Sequence, residues 1–470
     1  MPALRDRQSA LVEFVVCALL IGLGLALLQA LATVPILRAA EPPPAGGAAQ
    51  GSLPYERFET NDVCAECHGD FARQHEQALM SQCFTHHWDE IEYFELAAPH
   101  ADALPKVSGV KAGCNGCHAP LAFLAGDIPP QRPAAGTRAN EGVSCDLCHA
   151  ITGFVGEVPF NFNYVVAPGA AKQGPRAGRE SPYHEIAVNP FLRSADFCGV
   201  CHNEQDPYGV WVKSTHLEWR DGPHGKAGIA CQDCHMPPAA ALAAAEGESL
   251  PDARQHLFHG AHDEGKLRGA AEVRVHPQEV KVARGGQARL LATVVNAKAG
   301  HMLPSGSVEE RVVWLEVVAR DAAGRQWLLP VDPKGFPGEE MTIASAGAMA
   351  YQDLGDIKGL DGFAGLKRDG EVPDGCRIFR MPYLDPQGRM TVAQWHTAAL
   401  GPDYRLAPLR AVNESFTWSV PVDCAPGEVT IVARVWYSRL VSSVAEFMGV
   451  PREESQPVLM SEHATRLRVL

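Results

Sequence analysis

The sequence predicts a multidomain protein with one N-terminal transmembrane helix, an irregular and mainly α-helical domain, and an all-β domain. Three observations predict this division. Residues 14–37 form an apolar run, five Cys-x-x-Cys-His motifs lie within residues 64–235, and alternating apolar and polar residues recur after residue 271. The predicted boundaries are 1–40 for the membrane segment, 41–56 for a linker, 57–268 for the motif-rich domain and 271–470 for the β domain.

The apolar run is long enough to span a bilayer. Its 24 residues would form about 36 Å of helix at about 1.5 Å per residue. Arg5 and Arg7 precede the run, so we expect a single-pass anchor with the rest of the chain on the periplasmic side of the inner membrane. Ala30 and Ala32 also fit a signal-peptidase site, and cleavage there would export the protein instead. Residues 41–54 are rich in proline, glycine and alanine, as flexible linkers are.

Each Cys-x-x-Cys-His motif has the donor set of covalent haem attachment. The two thiols become thioethers on the porphyrin, and the histidine that follows ligates the iron. Zinc sites need cysteine pairs in even number without a histidine after each pair, and a thioredoxin-like pair normally occurs once. Five motifs therefore predict five covalently bound haem c groups, numbered here in chain order. The attachment residues are Cys64, Cys67, Cys114, Cys117, Cys145, Cys148, Cys198, Cys201, Cys231 and Cys234, and the proximal iron ligands are His68, His118, His149, His202 and His235.

The spacing of the motifs indicates an internal repeat. Successive proximal histidines are 50, 31, 53 and 33 residues apart, so long and short gaps alternate. The third and fifth motifs also have similar upstream residues, Gly-Val-Ser and Gly-Ile-Ala. We therefore predict that haems 2/3 and 4/5 are two copies of one two-haem unit, with haem 1 apart from them. With about 43 residues per haem, the porphyrins themselves should form the core of this domain.

The motif-rich domain has histidines to spare for the distal side of each iron. Surface histidines are common, so for any one of them a role on the surface weighs about as much as ligation. His184 and His224 each lie beside a proline ahead of an attachment motif, and His256, His259 and His262 follow the last motif, where one of them should ligate. The ten additional histidines are His75, His86, His87, His100, His184, His216, His224, His256, His259 and His262.

Three segments of this domain resemble the multihaem cytochromes of the cytochrome c-554/c-prime type. They are residues 194–202 around the fourth motif, residues 215–219 (Thr-His-Leu-Glu-Trp), and residues 228–237 around the fifth motif. The resemblance spans most of residues 60–265 and implies closely stacked haem pairs with mostly bis-histidine iron. It leaves the electron donor and acceptor open.

One position departs from the pattern of that family. Its members often place a distal histidine 12 residues after the first proximal histidine, and here that position is Met80. Methionine/histidine iron has a higher potential than bis-histidine iron, so Met80 as distal ligand would make haem 1 unusual. Cys83, His86 and His87 compete for that role, and Met80 could equally be a buried apolar residue.

The C-terminal half has the period-two pattern of β-strands. Comparable runs at residues 272–282, 288–295, 312–318, 415–422 and 429–437 are separated by turn formers, which predicts an antiparallel, immunoglobulin-like sandwich. Cys376 and Cys424 lie outside the haem motifs, and in an oxidising compartment we expect a disulfide between them, or else two buried thiols. Residues 296–306 resemble a Gly-His-x-x-Pro-Ser/Thr-Gly loop of related cytochromes. In that loop His301 could reach a haem, although a structural hydrogen-bonding role is favoured.

Charge and motifs together favour electron transfer. A formal net charge of −14 argues against nucleic acid as a partner. The leading hypothesis is a membrane-tethered, periplasmic pentahaem cytochrome that carries electrons between a membrane redox system and a soluble or extracellular partner. Quinol-linked or soluble cytochromes are the expected redox partners, no catalytic residue is assigned, and an oligomer is compatible with the sequence. The alternatives are a haem oxidoreductase acting on a small nitrogen or sulfur compound at one open haem, and a structural, conducting subunit of a cytochrome assembly.

Overall fold

The computed structural model describes residues 47–332, 372–373 and 375–470. The predicted membrane segment and the start of the linker lie outside these residues. Within them, no helix combines the length and the apolar composition needed to cross a bilayer. All of them belong to one compact unit.

The haem-motif region is built from short helices, none of them longer than nine residues among those described. Each attachment motif begins, ends or occupies such a helix. Residues i, i+3 and i+4 lie on one helix face, so the two cysteines and the histidine of a motif point the same way. The α-helices are Asn61–Ala65, Gly69–Glu76, Leu79–Gln82, His87–Ile91, Ala98–Ala103, Val110–His118, Pro120–Ala125, Cys145–Cys148, Asp196–His202, Thr215–Asp221, Pro223–Lys226, Cys231–His235, Glu264–Leu267 and Ser442–Met448.

Side-chain caps fix where the motif helices begin. The hydroxyl of Thr60 accepts the backbone N–H of Val63, and that of Ser144 accepts the N–H of Leu147. Such a cap satisfies one of the N–H groups that a helix start leaves unpaired. Single turns also connect the helices: a π-helix at Glu92–Ala97 and 3₁₀ helices at Tyr55–Arg57, Pro105–Val107, Pro133–Ala135, Arg138–Glu141, Pro190–Arg193, Gln394–His396 and Arg452–Ser455.

Eight short strands separate the helices of the haem-motif region. They pair as β1–β2, β3–β4, β5–β6 and β7–β8, and only β3–β4 is parallel. These two-stranded pairs connect the helices of successive attachment motifs. The strands are β1 Ile151–Phe154, β2 Tyr164–Val166, β3 Ala171–Gly174, β4 Glu185–Val188, β5 Asn203–Gln205, β6 Trp211–Ser214, β7 Pro238–Leu242 and β8 Ser249–Arg254.

The described part of the C-terminal region, residues 269–332, 372–373 and 375–470, contains twelve further strands. A six-stranded sheet has the order β10-β20-β19-β12-β13, with β14 also on β12, and a three-stranded sheet has the order β18-β11-β9. A small sheet of order β16-β15-β17 lies between β14 and β18 in sequence. The strands are β9 Ala271–Pro277, β10 Lys281–Val282, β11 Gln287–Asn296, β12 Val312–Arg320, β13 Gln326–Leu328, β14 Arg377–Phe379, β15 Tyr383–Leu384, β16 Met390–Thr391, β17 Ala399–Leu400, β18 Ala411–Ser419, β19 Gly427–Ser438 and β20 Val458–Val469.

The two larger sheets share one apolar core. Alternate residues of each strand point into it, as the period of two requires. Ala292 and Val294 of β11 and Leu315 and Val317 of β12 are fully buried in this cluster. The sheets therefore pack face to face.

A second apolar cluster joins the two halves of the chain. Trp88 and Leu96 of the haem-motif region pack in it with Trp314, Trp395 and Leu440 of the C-terminal region. The two halves consequently share an apolar core where they meet. The sequence pattern of either half alone does not predict this shared core.

The predicted Cys376–Cys424 disulfide is wrong. Cys424 is an unpaired, buried thiol whose Sγ lies 3.7 Å from the carbonyl oxygen of Ala425. It packs in the core between the two large sheets, whereas Cys376 packs in the cluster that joins the two halves. The two cysteines therefore pack among different neighbours and do not form the predicted disulfide.

Candidate haem site

One large cavity connects all five attachment motifs. Its volume is about 3150 Å³, against about 300–1,000 Å³ for an ordinary small-molecule pocket. All five proximal histidines line it, as do nine of the ten attachment cysteines, Cys114 lying beside it. A cavity of this size, with these donors, fits several covalently held porphyrins.

The proximal imidazoles are oriented by backbone carbonyls. Four of them donate Nδ1–H to a carbonyl oxygen, which leaves Nε2 as the nitrogen that can bind a metal. This carbonyl support is the usual partner of a metal-ligating histidine. The pairs are His68 with Ala243 (2.5 Å), His118 with Cys83 (2.8 Å), His149 with Gln173 (2.7 Å) and His235 with His259 (2.7 Å).

Three proximal histidines face a second histidine across a gap. Two imidazoles that share a metal from opposite sides, at about 2 Å from nitrogen to metal, have ring centres about 6 Å apart. The observed distances between ring centres are 6.2 Å for His68–His184, 6.4 Å for His149–His256 and 6.4 Å for His235–His301.

The second histidine of each pair is oriented in the same way as the first. Each pairs its Nδ1 with a backbone carbonyl: His184 with Glu185 at 3.0 Å, His256 with Arg254 at 2.9 Å, and His301 with Met302 at 2.8 Å. All six rings thus keep Nε2 for the gap between them.

Burial lowers the pKa of four of these imidazoles, namely His149, His235, His256 and His301. It lowers the pKa of His235 and of His256 to about 4, so that both are unprotonated at pH 7. A neutral imidazole is the form that coordinates iron. The residues around the three gaps therefore fit bis-histidine haem.

The other distal candidates have different surroundings. Met80 lines the cavity, but the ring opposite His68 belongs to His184. His259 supports haem 5 from behind, because its carbonyl accepts the Nδ1–H of His235. His224 lies against Gly300 and keeps a buried Nδ1 without a hydrogen-bond partner.

His301 is a ligand candidate for which the sequence favours a structural hydrogen-bonding role. It belongs to the loop between β11 and β12, far from the attachment motifs in sequence. The Gly-His-x-x-Pro-Ser-Gly pattern was the available signal. The carboxylate of Glu218 holds this loop, accepting the Met302 N–H at 3.2 Å and the Ser305 hydroxyl at 2.7 Å.

Attachment motifs that are distant in sequence lie beside one another in the fold. The side chains of Cys64 and Cys145 lie close enough to interact, which places motif 1 beside motif 3. Likewise Cys117 meets Cys201, so motif 2 lies beside motif 4. A contact between Cys198 and Cys231 joins motifs 4 and 5. The contact between motifs 4 and 5 agrees with the predicted unit of haems 4/5, whereas the unit of haems 2/3 and the separate place of haem 1 stay predictions.

Close packing behind the fourth motif explains one of its intervening residues. A Cβ on Gly199 would come within 2.7 Å of Pro159 and 2.9 Å of His216. Both nitrogens of the His216 ring are already engaged, Nδ1 with Asn203 at 3.1 Å and Nε2 with Asp196 at 2.9 Å. His216 therefore supports the motif helix in this structure.

Comparison with known proteins agrees with this site. Residues 187–272 match the NapC/NirT cytochrome c family, N-terminal region. A penta-haem cytochrome c552 from Thermochromatium tepidum is similar in structure, with a TM-score of 0.57 and 20% identity over 88% of this chain and 100% of that one. The sporulation control protein Spo0M from Bacillus subtilis matches with a TM-score of only 0.16, at 12% identity over 43% of this chain and 49% of its own. No curated protein matches the chain. Five attachment motifs around one cavity, the matched segment and the shared fold together support a multihaem cytochrome c.

Proposed function

We propose that this protein is a pentahaem c-type cytochrome of the periplasm, tethered to the inner membrane, that carries electrons between a membrane redox system and a soluble or extracellular partner. The observation that carries the proposal is the convergence of all five motifs on one cavity with preformed histidine pairs. When bound, haem supplies one-electron redox chemistry at iron.

The chain's own residues set the character of three sites. We propose His184, His256 and His301 as distal ligands of haems 1, 3 and 5, with Met80 and His259 in supporting positions. Bis-histidine ligation favours a lower potential than methionine/histidine ligation. Six-coordinate iron also leaves no position for a substrate, which suits a carrier.

The adjacency of the motifs supports a path of transfer through the protein. Motifs 1 and 3 are neighbours, and motif 4 touches both motif 2 and motif 5. Cys148 of motif 3 also lies close enough to Cys198 and Cys201 of motif 4 to interact electrostatically. We propose that this connected arrangement lets electrons enter at one end of the protein and leave at another.

A second candidate function rests on the surroundings of His202. Among the residues that the structure describes, neither His118 nor His202 has an opposing histidine ring at the spacing of the other three. Burial lowers the pKa of His202 to about 4, and the cations Lys213 and Arg311 lie near it. Lys213 is paired with Glu204 at 3.0 Å, and both cations are half-buried. Since cations near an open iron attract small anions, we propose as the alternative an oxidoreductase acting on a small nitrogen or sulfur compound at haem 2 or haem 4.

One measurement separates the two functions. The purified ferric protein, with its haems counted, is examined by EPR and optical spectroscopy before and after addition of nitrite, hydroxylamine or sulfite. Five low-spin haems that ignore these compounds support the carrier. A high-spin signal that shifts on addition supports the enzyme and contradicts the carrier proposal.

A further inference from the structure

Outside the histidine pairs, three more histidines gather around one carboxylate. Glu454 belongs to the 3₁₀ helix Arg452–Ser455 of the C-terminal region, whereas His86, His87 and His262 belong to the haem-motif region. The carboxylate oxygens lie 3.6 Å from His86 Nε2, 3.9 Å from His87 Nε2 and 3.9 Å from His262 Nδ1. One ligand atom each of His86, His87 and Glu454 fall within 4.8 Å of one another.

We propose that His86, His87, His262 and Glu454 form a binding site for a divalent transition-metal ion, Zn²⁺ by preference, between the two regions of the chain. Three imidazoles and one carboxylate are the nitrogen and oxygen donors that zinc takes in four-coordinate sites. Donors about 2.0–2.1 Å from a tetrahedral zinc are about 3.4 Å apart, so small side-chain rotations bring His86, His87 and Glu454 to this spacing. His262 lies outside this group of three and would complete the set from the other oxygen of Glu454.

One nitrogen of the cluster has no other partner. His87 Nε2 is buried without a hydrogen bond, whereas Glu454 Oε2, which also lacks a hydrogen bond, lies 3.4 Å from the guanidinium of Arg439. Burying such a nitrogen without a partner is costly, and a bound cation would satisfy it.

A further carboxylate orients His86 within the cluster. Asp89 Oδ2 lies 3.6 Å from His86 Nδ1, while Nε2 of the same ring faces Glu454. Metal-ligating histidines commonly present one nitrogen to the ion and the other to a carboxylate. His86 therefore has the surroundings of such a ligand on both sides of its ring.

Arg439 braces the two segments that carry the donors. Its guanidinium donates to the backbone carbonyls of Glu454 at 3.0 Å, Glu453 at 2.8 Å and His262 at 3.3 Å. It also lies 3.4 Å from Glu454 Oε2, so this carboxylate has one cationic neighbour already. Only the other oxygen of Glu454 faces both His86 and His87.

The cluster is distinct from the paired histidines of the haem cavity. His86, His87 and Glu454 do not line that cavity, whereas His262 does. Burial lowers the pKa of His262 to about 3 and lowers that of His87 as well, so both rings are neutral ligands at pH 7.

Metal analysis of the full-length, haem-loaded protein tests the proposal. The protein is treated with EDTA, dialysed, incubated with equimolar Zn²⁺ and passed through a desalting column, and iron and zinc are counted by mass spectrometry. We expect one zinc per five irons in the natural protein and at least a tenfold weaker zinc affinity in His87→Ala and in Glu454→Gln. Glu454→Gln preserves the size of the side chain, and the iron count verifies that each variant has folded.

His276→Ala is the matched control. His276 is an exposed histidine of β9, and its ring lies 5.7 Å from that of His463. The substitution therefore also removes an imidazole from a pair, but from one far from the proposed zinc site in sequence. The control should keep one zinc per chain. Zinc that is absent from the natural protein, or retained equally by all variants, would overturn the proposal. Loss of a low-spin ferric signal in His86→Ala or His87→Ala would also overturn it, because the cluster would then serve a haem iron.

Discussion

The partners of the two ring nitrogens distinguish the imidazoles around the cavity. Where a carbonyl takes Nδ1–H, Nε2 is left for the metal, as in His149 and its opposite ring His256. Where side chains engage both nitrogens, as in His216, the ring holds a neighbouring segment in place. Histidine count therefore does not determine ligation, because the fold decides which partner each ring nitrogen meets, as with Gln173 for His149 and Asp196 for His216.

Replacement of His301 tests this reasoning at one residue. His301→Ala removes the ring opposite His235, so we expect one of the low-spin ferric haems to become high-spin. His301→Met should restore a six-coordinate iron with a higher reduction potential, since methionine ligation raises it. EPR and a redox titration measure both effects.

The exposed His276 supplies the control for this prediction too. His276→Ala should leave every haem signal and potential unchanged. An unaltered EPR spectrum in His301→Ala would show that haem 5 takes its distal ligand elsewhere, and His224, which lies against Gly300, would be the first alternative.

At the scale of elements, the sequence predicts the helices and strands whose side-chain pattern repeats over a few residues. The motif helices follow from the i, i+3, i+4 spacing, and strands β11, β12 and β19 follow from their alternation. β20 was missed, because polar residues such as Ser461, Glu462 and Thr465 interrupt its apolar pattern. The distal ligands depend on long-range folding, so the sequence offered candidates such as Met80 without a means to choose between them.

Helix Thr215–Asp221 is the element that anchors the loop of His301. Its Glu218 forms an ion pair with Arg405 at 2.5 Å, and both side chains are almost fully buried. Breaking a buried pair by removing one charge costs about 3–5 kcal/mol. Asp403 still contacts Arg405 at 2.9 Å, so we expect a smaller loss, about 1–3 kcal/mol, for Glu218→Gln.

The same substitution should also loosen the loop around haem 5. We expect Glu218→Gln to lower the unfolding temperature and to shift the potential of one haem, as followed by thermal denaturation and redox titration. Asp221→Asn, at the exposed end of the same helix, is the control and should change neither. A stable variant with five unaltered potentials would contradict the anchoring role.

On the scale of the whole molecule, the interior where the two halves meet carries charge. Glu309 is fully buried there, with Lys213 and Arg311 close enough to interact with it. Burial raises the pKa of Glu309 to about 8 against an ordinary 4.5, despite these cations. The folded protein therefore holds a proton on Glu309 that the unfolded chain releases at neutral pH.

This proton makes stability depend on pH in a defined direction. The contribution of Glu309 is complete below about pH 4.5 and is lost as the pH rises through about 8, because the folded state binds more protons over that interval. We expect the free energy of unfolding in guanidinium to fall between pH 5 and pH 8. Glu309→Gln should flatten this decline, and a decline of equal slope in the variant would assign it to other groups.

The net charge of the whole chain sets its choice of partner. It is −14 before the haem propionates are counted, with 55 acidic against 41 basic residues. Opposite charges steer the encounter of two proteins, and salt screens this attraction with a Debye length of about 10 Å at 0.1 M.

If the protein is an electron carrier, its reduction by a basic monohaem cytochrome should slow about tenfold between about 10 mM and 200 mM salt. An acidic donor of similar potential should show the opposite trend in stopped-flow, because salt relieves the repulsion between like charges. Equal salt dependence for the two donors would show that a local patch, rather than the net charge, guides the encounter.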